Sequence, residues 1–320
     1  MGLGVMGQNH ARVLSNLKGV DFIAITDPLI DVKKVLPNHE ILQSIDELIS
    51  RGLDYCVVAA PTAFHEEISL KLIDAGIHIL IEKPIALNFE SAKRIEDEAK
   101  RKGVVGAIGH IERYNSALQQ ARSRIQSGEL GEIYQISTRR LGPFPSRIAD
   151  VGVVMDLATH DIDLTAWISN SSYKSVSAQS AIRSGRQYED LVNIVAQLEN
   201  GIVVSHLVNW LSPLKERKTI ITGEKGTYVV DTLTSDLTFY ANGTISVSQD
   251  RIAHFKGVSQ GDIHIFAFDK PEPLRLEHEN FRDYVLGKEA SIVTLSEGAK
   301  TVAVAQAVLS SIQSQQTVNP

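Results

Sequence analysis

The sequence predicts an α/β protein with a doubly wound parallel sheet first, then a second α/β domain built on an open, mostly antiparallel sheet. The first observation is a glycine-rich turn at residues 1–7, MGLGVMG, which leads directly into an apolar helix. The second is that short apolar runs alternate with amphipathic helices through the first third of the chain. The third is a change of character around residues 110–115, where a polar segment leads into a helix, and from about residue 132 onward alternating apolar and polar runs dominate. We therefore expect two domains, at residues 1–112 and 113–320.

The glycine-rich turn carries the pattern G-x-G-x-x-G at Gly2, Gly4 and Gly7. In a dinucleotide-binding βαβ unit the first glycine makes a tight turn, and the second lets the backbone approach a pyrophosphate. The third lets the helix pack close to the sheet. The helix N-terminus then holds the phosphates, so Val5 and Met6 join the glycines as candidate cofactor contacts. The pattern alone is unspecific, and its surroundings decide its meaning.

An acidic residue follows at the expected distance from the turn. Asp27 ends the apolar run 22–26 and lies twenty residues beyond Gly7. A carboxylate at this spacing reaches the adenine-ribose hydroxyls. It would also repel a 2′-phosphate, which favours NAD over NADP. The alternative is that Asp27-Pro28 merely ends a strand in a turn.

The strand that should precede the glycine turn is missing from the pattern, since only Met1 comes before Gly2. In this fold that strand lies mid-sheet, between the strand ending at Asp27 and the one near 54–60. Its neighbours would otherwise leave backbone groups unpaired and apolar side chains uncovered. We expect the natural protein to carry about one further strand upstream of Met1. The alternative is a weakened domain with poor cofactor binding.

Composition is that of a globular protein and gives no indication of a polyanionic partner. Of the 320 residues, 43% are hydrophobic and 22% charged, and the net charge is −6 without a long basic run. Nothing therefore favours nucleic acid or an anionic membrane surface as a partner. No signal peptide or membrane-length apolar stretch appears. The single cysteine, Cys56, lies in the apolar run 55–60 and is expected to be a buried thiol, which fits a reducing cytoplasm.

Local patterns predict the individual elements in order. In the first domain we expect strands near 22–26, 54–60, 77–81 and 104–109, and helices near 8–17, 44–51, 63–75 and 89–102. In the second we expect strands at 133–139, 175–182, 191–198, 202–210, 219–222, 227–230 and 237–241, then helices near 277–286 and 296–311. Residues 313–320 are expected to form a frayed tail.

Parallel sheets bind cofactors at the carboxyl ends of their strands, and two such ends carry suggestive residues. The first supplies the candidate cofactor contacts Ala60, Pro61, Thr62 and His65. The second is Glu82-Lys83-Pro84, where a lysine beside a nicotinamide would hydrogen-bond a substrate hydroxyl or take its proton. A cis bond to Pro84 would give the turn an unusual shape that aims Lys83 inward. The tripeptide alone is also typical of a surface lysine in a turn.

The segment 152–163, GVVMDLATHDID, holds the other candidate acid–base residues. If it is helical, Asp156 and His160 lie one turn apart on one face. A carboxylate there orients the imidazole and raises its basicity, which suits a general base near neutral pH. The His-x-Asp spacing also hints at a metal site, but a third ligand is not evident and we expect no metal. Isolated His–Asp pairs are more often structural or solvent-facing than catalytic.

These three motifs, in this order, resemble those of the Gfo/Idh/MocA oxidoreductase family along nearly the whole chain. The resemblance implies an NAD-dependent oxidoreductase that removes a hydride from a secondary hydroxyl of a sugar or nucleotide sugar. It implies that Lys83, Asp156 and His160 form the catalytic group, with either Lys83 or His160 as the base. It also implies a homodimer or homotetramer formed through the C-terminal sheet. The alternative is a regulator of the same fold that binds a dinucleotide without turnover, although both Lys83 and His160 are present.

A finer resemblance concerns the segments 109–115, 139–145 and 209–213, which are similar to the branch of UDP-N-acetylglucosamine 3-dehydrogenases. A nucleotide-sugar substrate of this kind, oxidised at C3, would use cations for its diphosphate, and arginine suits bidentate phosphate contacts. The candidate substrate contacts are Arg113, Tyr114, Asn115, Arg140 and Arg147. Each arginine fits an ordinary surface charge equally well.

Overall fold

The computed structural model describes residues 1–27, 39–145, 151–243 and 258–320, and their contacts divide the chain into two compact units. The first unit comprises Met1–Tyr114 together with Pro271–Gln306, and the second comprises Asn115–Lys270 together with Ala307–Pro320. The expected boundary at 112/113 lies close to the first break. The return of the chain to the first unit at Pro271 has no counterpart in the sequence pattern. Within the described ranges, no helix combines the length and apolarity needed to cross a bilayer.

The first unit alternates strands and helices as expected. Its elements up to residue 109 are α1 (Val5–Leu14), β1 (Ala24–Thr26), β2 (Glu40–Leu42), α2 (Ile45–Ile49), β3 (Tyr55–Val58), α3 (His65–Asp74), β4 (His78–Glu82), α4 (Phe89–Lys102) and β5 (Gly106–Gly109). Strands β3, β4 and β5 form a parallel sheet in that order, and they are apolar because both faces of the sheet are covered. Cys56 is buried in β3 as expected, and burial raises the pKa of its thiol.

Strands β1 and β2 pair parallel to each other in a separate sheet, and the N-terminal residues lie between it and β3. The amide of Gly2 donates to the Thr26 carbonyl (2.9 Å), while the Met1 carbonyl accepts from the Ala59 amide (2.8 Å). The Met1 ammonium donates to the Val57 carbonyl at 2.6 Å. Met1 and Gly2 therefore occupy the position in which the last residues of a middle strand would pair.

A cavity of about 630 Å³ opens beside these residues. Its apolar lining comes from both flanking strands and from α1, and includes Leu14, Phe22, Ala24, Tyr55 and Val57. Its walls are thus the two strand edges and the helix that a strand joined to Met1 would contact. The cavity lies where the sequence pattern leads us to expect a further strand, and the presence of such a strand stays a prediction.

We predict that adding five or six β-branched apolar residues before Met1 raises the melting temperature by at least about 5 °C. Each apolar side chain buried in the cavity contributes about 1.5–3 kcal/mol, and 1 kcal/mol shifts Tm by about 2–4 °C at this size. An extension of equal length made of Gly and Ser is the matched control. Equal melting temperatures for the two extended chains, measured by calorimetry, would show that the cavity does not receive a strand.

The second unit is built on one eight-stranded sheet. Its elements are α5 (Ser116–Gln126), β6 (Ile133–Pro143), α6 (Thr159–Ser169), β7 (Tyr173–Ala181), β8 (Leu191–Leu198), β9 (Val203–Asn209), β10 (Leu211–Gly223), β11 (Gly226–Asp231), β12 (Asp236–Gly243) and β13 (Ser259–Ile265). The strand order is β13-β12-β11-β10-β6-β9-β8-β7. Only the β6–β9 pair in this order is parallel, so the sheet is mostly antiparallel, as expected. Two strands, the three-residue β2 and the seven-residue β13, were not expected, because neither carries a strong apolar alternation.

Two C-terminal helices follow, α7 (Pro273–Val285) and α8 (Leu295–Ser314). Helix α7 contributes Phe281 to the same core cluster as Leu80 of β4, which explains why the chain returns to the first unit. The expectation of a frayed tail over 313–320 is wrong. Val318 forms an antiparallel bridge with Val176 of β7, with backbone hydrogen bonds of 2.8 and 2.9 Å. An isolated bridge of this kind depends on tertiary contact, so the tail sequence gives no sign of it.

Candidate active site

The glycine turn has the geometry of a phosphate-binding turn. Gly2 adopts a φ of +87°, and a Cβ there would meet the Ala59 carbonyl oxygen at 2.6 Å. A Cβ at Gly7 would overlap the Gly2 carbonyl, so only glycine lets α1 lie this close to the turn. At Gly4 the situation is opposite, because a Cβ would meet no described heavy atom within 4 Å. The turn is therefore closed on its inner side and open at Gly4, where a pyrophosphate would approach.

The N-terminus of α1 faces this open side with its amides available. Gly4 is the N-cap residue, no side chain among the described residues caps it, and the first turn carries no acidic side chain. The Val5, Met6 and Gly7 amides precede the first intrahelical hydrogen bond, which runs from Gln8 to the Gly4 carbonyl (3.0 Å). An uncapped helix N-terminus with a positive dipole end suits an anionic ligand. These features fit the pyrophosphate of a dinucleotide.

Asp27 follows β1 and is fixed against the turn. Its Oδ2 accepts a hydrogen bond from the Leu3 amide at 2.6 Å, and the side chain is half-buried. The carboxylate thus lies next to the backbone that would carry the pyrophosphate. This agrees with the ribose-binding position expected from the sequence, although the role itself remains a prediction.

The end of β3 is tied to the end of β4 by His65. The ring is 1% exposed, with Nε2 lying 2.8 Å from the Ala60 carbonyl oxygen and Nδ1 lying 3.0 Å from that of Pro84. Burial lowers the pKa of His65, and the hydrogen bonds to the two carbonyls oppose this effect only in part. Both nitrogens thus contact backbone, and His65 holds the turn of Pro61 and Thr62 next to the proline turn. Direct contact of His65 with a cofactor stays a prediction.

The motif Glu82-Lys83-Pro84 stands at the carboxyl end of β4, and the bond between Lys83 and Pro84 is cis. Lys83 is half-buried, whereas Glu82 is 8% exposed. The Glu82 carboxylate accepts a hydrogen bond from the Lys83 amide at 3.1 Å. The structure therefore places the glycine turn, Asp27, the Ala60 turn and Lys83 in one unit, at the ends of its parallel strands.

Asp156 and His160 lie in the second unit, on a helix that departs from the expected α-helical geometry. Residues Val154–Ala158 form a π-helical turn that runs into α6, so the segment is helical, although not with α-helical geometry throughout. Asp156 is 6% exposed and His160 half-buried. The Glu189 side chain anchors the turn by accepting a hydrogen bond from the Val154 amide at 3.0 Å. Such turns often occur at functional sites, and no sequence pattern announces one.

Next to His160, Asp161 forms a buried two-point ion pair with Arg140 of β6. The Arg140 Nε and Nη2 donate to the two Asp161 oxygens at 3.0 and 3.1 Å, and both side chains are at most 4% exposed. This pair fixes the start of α6 against the sheet. Arg140 thus has a structural partner in the position where the sequence suggested a contact to substrate phosphate.

The other candidate substrate contacts are also buried and paired. Arg113 donates to Glu297 at 2.7 Å, and the Tyr114 hydroxyl donates to the Ser291 carbonyl at 3.1 Å. Asn115 is the N-cap of α5, and its Nδ2 donates to the Ser235 hydroxyl at 3.0 Å. Arg147 lies outside the described residues. Substrate binding by this set therefore remains a prediction that these contacts do not favour.

Comparison with known proteins agrees with the two-unit architecture. Residues 1–110 match the oxidoreductase family with an NAD-binding Rossmann fold, and residues 118–229 match the GFO/IDH/MocA C-terminal domain. The chain is 30% identical over 250 residues to UDP-N-acetylglucosamine 3-dehydrogenase from Acidithiobacillus ferrooxidans, a match covering 77% of each protein. It is 26% identical over 212 residues to the NAD⁺-dependent scyllo-inositol 2-dehydrogenase of Bacillus subtilis, of which it spans 62%.

Solved structures show the same fold over nearly the whole chain. The structure of the Acidithiobacillus ferrooxidans UDP-N-acetylglucosamine 3-dehydrogenase matches with a TM-score of 0.85 at 25% identity, covering 98% of this chain and 96% of that one. The WlbA dehydrogenase from Bordetella pertussis, solved with NADH and UDP-GlcNAcA, matches in fold with a TM-score of 0.81 at 22% identity, covering 100% and 97%. The chain belongs to the Gfo/Idh/MocA family and is an NAD-dependent oxidoreductase.

Three buried polar residues near these motifs were missed by sequence reasoning. His10 contacts Glu82 from α1, and Glu277 and His278 reach the same region from α7. A histidine three residues after Gly7, on the face of α1 that also carries Ala11 and Leu14, is a signal that could have been noticed. Nothing in the local sequence around α7 links it to β4.

We predict that the chain binds NAD at least about tenfold more tightly than NADP, and that Asp27→Asn narrows this ratio. A 2′-phosphate facing the carboxylate meets like-charge repulsion and loses a hydrogen bond, and tenfold corresponds to about 1.4 kcal/mol. Asparagine keeps an oxygen for the Leu3 amide, so the turn is preserved. Titration calorimetry with both dinucleotides measures the ratio, and Asp21→Asn, an exposed carboxylate before β1, is the control. Equal affinity for NADP in the unmodified chain would rule out the ribose role of Asp27.

Proposed function

We propose that the chain oxidises a secondary hydroxyl of a nucleotide sugar related to UDP-N-acetylglucosamine, at C3. The observation that carries the proposal is the 30% identity to the UDP-N-acetylglucosamine 3-dehydrogenase, which extends over 77% of the chain. The match to the scyllo-inositol enzyme covers a smaller share, 62%, at 26% identity. A sugar or cyclitol without a nucleotide is therefore the second substrate class to test.

The chemistry divides between the cofactor and the protein. Bound NAD supplies the hydride acceptor for the hydrogen on the substrate carbon. The protein must take the proton from the hydroxyl, so that an alcohol becomes a ketone with release of one hydride and one proton. We assign the proton transfer to Lys83 and His160, with Asp156 orienting the imidazole. The resemblance that implies these roles leaves open which of the two residues is the base.

The surroundings of these residues support the assignment. Lys83 stands at the carboxyl end of a parallel strand, in the unit that carries the glycine turn, and its amide is held by the buried Glu82. His160 lies in the first turn of α6, which a buried arginine–carboxylate pair fixes in place. Rigid support of this kind keeps acid–base groups within the narrow geometry that proton transfer requires.

We also propose that the protein acts as a homodimer or homotetramer in the cytoplasm. One face of the eight-stranded sheet exposes apolar residues among small polar ones, with Val195 54% and Val203 47% exposed. Ser205 of β9 pairs with Val195 of β8 on one side and with Ser137 of β6 on the other, and the two serines share a 2.9 Å hydrogen bond. A face of apolar and small polar residues suits a second copy of the chain, and light scattering gives the mass. The buried thiol of Cys56 fits a reducing compartment.

We predict that Lys83→Ala and His160→Ala each lower kcat by about 10²–10⁴, while NAD affinity and Tm change little. This is the usual contribution of a positioned acid–base group. Substrate is first identified by following NADH absorbance with UDP-N-acetylglucosamine, other UDP-sugars, and scyllo- and myo-inositol. Lys93→Ala on α4 and His264→Ala on β13 are the controls, since both side chains lie on the exposed surface.

Each outcome of that experiment is informative. Turnover with an inositol but no UDP-sugar would replace the nucleotide-sugar proposal by the second substrate class. Tight NAD binding without turnover on any substrate would favour the non-catalytic regulator. Wild-type kcat in either variant would remove that residue from the proposed catalytic group.

A further inference from the structure

Four ionisable side chains from three elements meet inside the first unit, behind the end of β4. His10 comes from α1, Glu82 from β4, and Glu277 and His278 from α7. They are 2%, 8%, 1% and 0% exposed, respectively. The His10 ring bridges two of them, with Nε2 lying 2.8 Å from Glu82 Oε1 and Nδ1 lying 2.8 Å from His278 Nε2. Buried ionisable groups are rare unless paired, so this cluster calls for an explanation beyond packing.

The negative charge of the cluster is located on Glu82. Burial opposes its ionisation, but the hydrogen bond from His10 and the charges of His10 and Lys83 hold the pKa of the Glu82 carboxyl below its usual value. An ionised carboxylate only accepts hydrogen bonds, so His10 Nε2 carries a hydrogen. His278 is neutral, because burial, and to a lesser extent the charge of His10, lower its pKa to about 3.

The second carboxyl of the cluster stays protonated. Burial, and the charge on Glu82, raise the pKa of Glu277 well above its usual value. Neither of its oxygens has a hydrogen-bond partner among the described residues, which an ionised group in this position could not tolerate. Of two buried carboxyls, the one that His10 contacts is therefore the one that ionises. The charge lies at the strand end rather than on α7.

Both oxygens of Glu82 are held, and one of them holds Lys83. Oε1 accepts from His10, and Oε2 accepts from the Lys83 amide at 3.1 Å. On the neighbouring strand β5, a Cβ at Gly109 would lie 3.3 Å from Glu82 Cδ. Glycine at this position therefore avoids a close contact with the carboxylate. The chain of contacts runs from His278 through His10 and Glu82 to the backbone of Lys83.

We propose that His10 is a positioning residue for the hydride-transfer reaction, acting through Glu82 on Lys83, with His278 orienting the His10 ring. The inference rests on the proposed function, in which Lys83 takes part in proton transfer. His10 lies in the helix that also carries the open end of the glycine turn. The N-terminus of α1 thus serves the cofactor, and the His10 side chain of the same helix supports the lysine motif.

The test compares His10→Ala, His10→Gln and His78→Ala on the identified substrate. His10→Ala is expected to lower kcat about 10- to 100-fold while KM and NAD affinity change less than about threefold. Loss of the His10 hydrogen bond raises the pKa of the Glu82 carboxyl. On lowering the pH, kcat of His10→Ala is therefore expected to fall at a pH about one unit higher than kcat of the wild type. Other titratable groups facing Glu82 are Lys83, Glu277 and, from α3, His65. His10→Gln keeps an N–H for Glu82 and is expected to restore most of kcat and the pH profile.

His78→Ala is the matched control because it removes an imidazole from the opposite end of the same strand. His78 Nδ1 accepts from the Val105 amide at 3.0 Å, so the control also loses one hydrogen bond and some stability. A purely structural role of His10 predicts that both alanine variants lower Tm and leave the pH profile of kcat unchanged. That result would overturn the proposal.

A second measurement separates this proposal from the proposed function. The Glu82 carboxyl carbon is titrated by NMR in ¹³C-glutamate-labelled protein, with Glu82→Gln used to assign its signal. A titration at higher pH in His10→Ala than in the wild type supports the positioning of the charge. An unchanged titration overturns it, whether or not a substrate is found. Absence of turnover in the wild type, by contrast, overturns the proposed function and with it the link to catalysis.

Discussion

The close approach of α1 to the glycine turn is the constraint on which the first unit depends. Gly7 lies so near the Gly2 carbonyl that no side chain fits between them. This contact fixes the axis of α1 against the sheet, so that its N-terminal amides point to the open side at Gly4. One turn further along, the same placement brings His10 within 2.8 Å of Glu82. A single steric requirement thus sets both the cofactor turn and the support of the lysine motif.

The two units reinforce their proposed catalytic residues by the same physical means, a buried ionised carboxylate with a specific partner. In the first unit this is Glu82 with His10, beside Lys83. In the second it is Asp161 with Arg140, beside His160. A buried carboxylate with such a partner contributes little net stability, because desolvation offsets the attraction. Breaking one partner is costly, however, so these pairs hold orientation more than they hold the fold.

Elements with local signals could be predicted from the sequence, and α4 shows why. Its bounds of 89–102 were expected and observed, because Asn88 caps its first turn and Gly103 ends it in a left-handed conformation. The antiparallel strand 191–198 was likewise expected and observed, since one residue in two is apolar and buried. The motifs that we propose to be catalytic were found in the same way, because each is a compact pattern at a strand end or in a helix.

Features that depend on distant contacts were not predictable. The return of α7 to the first unit, the bridge of Val318 with Val176 and the contact of His10 with His278 each join residues far apart in the chain. The π-helical turn before His160 depends on the Glu189 side chain, which lies 35 residues from its partner Val154. The candidate substrate arginines show the converse case. Arg113 and Arg140 were expected to contact a substrate diphosphate or to be ordinary surface charges, but both are buried and paired with carboxylates distant in the chain.

The most direct test of the account is the NAD affinity of Gly4→Ala, measured by calorimetry together with its melting temperature. Gly4 has an ordinary φ of −58°, and a methyl group there meets no described atom of the protein. The fold should therefore accept alanine with a Tm within about 2 °C of the wild type, since exposed changes usually stay within ±0.5 kcal/mol. If the pyrophosphate of NAD lies against this turn, the methyl group takes its place and NAD affinity falls at least about tenfold, roughly 1.4 kcal/mol. Unchanged NAD affinity in a stably folded Gly4→Ala would contradict the placement of the cofactor, and with it the role assigned to the end of β4.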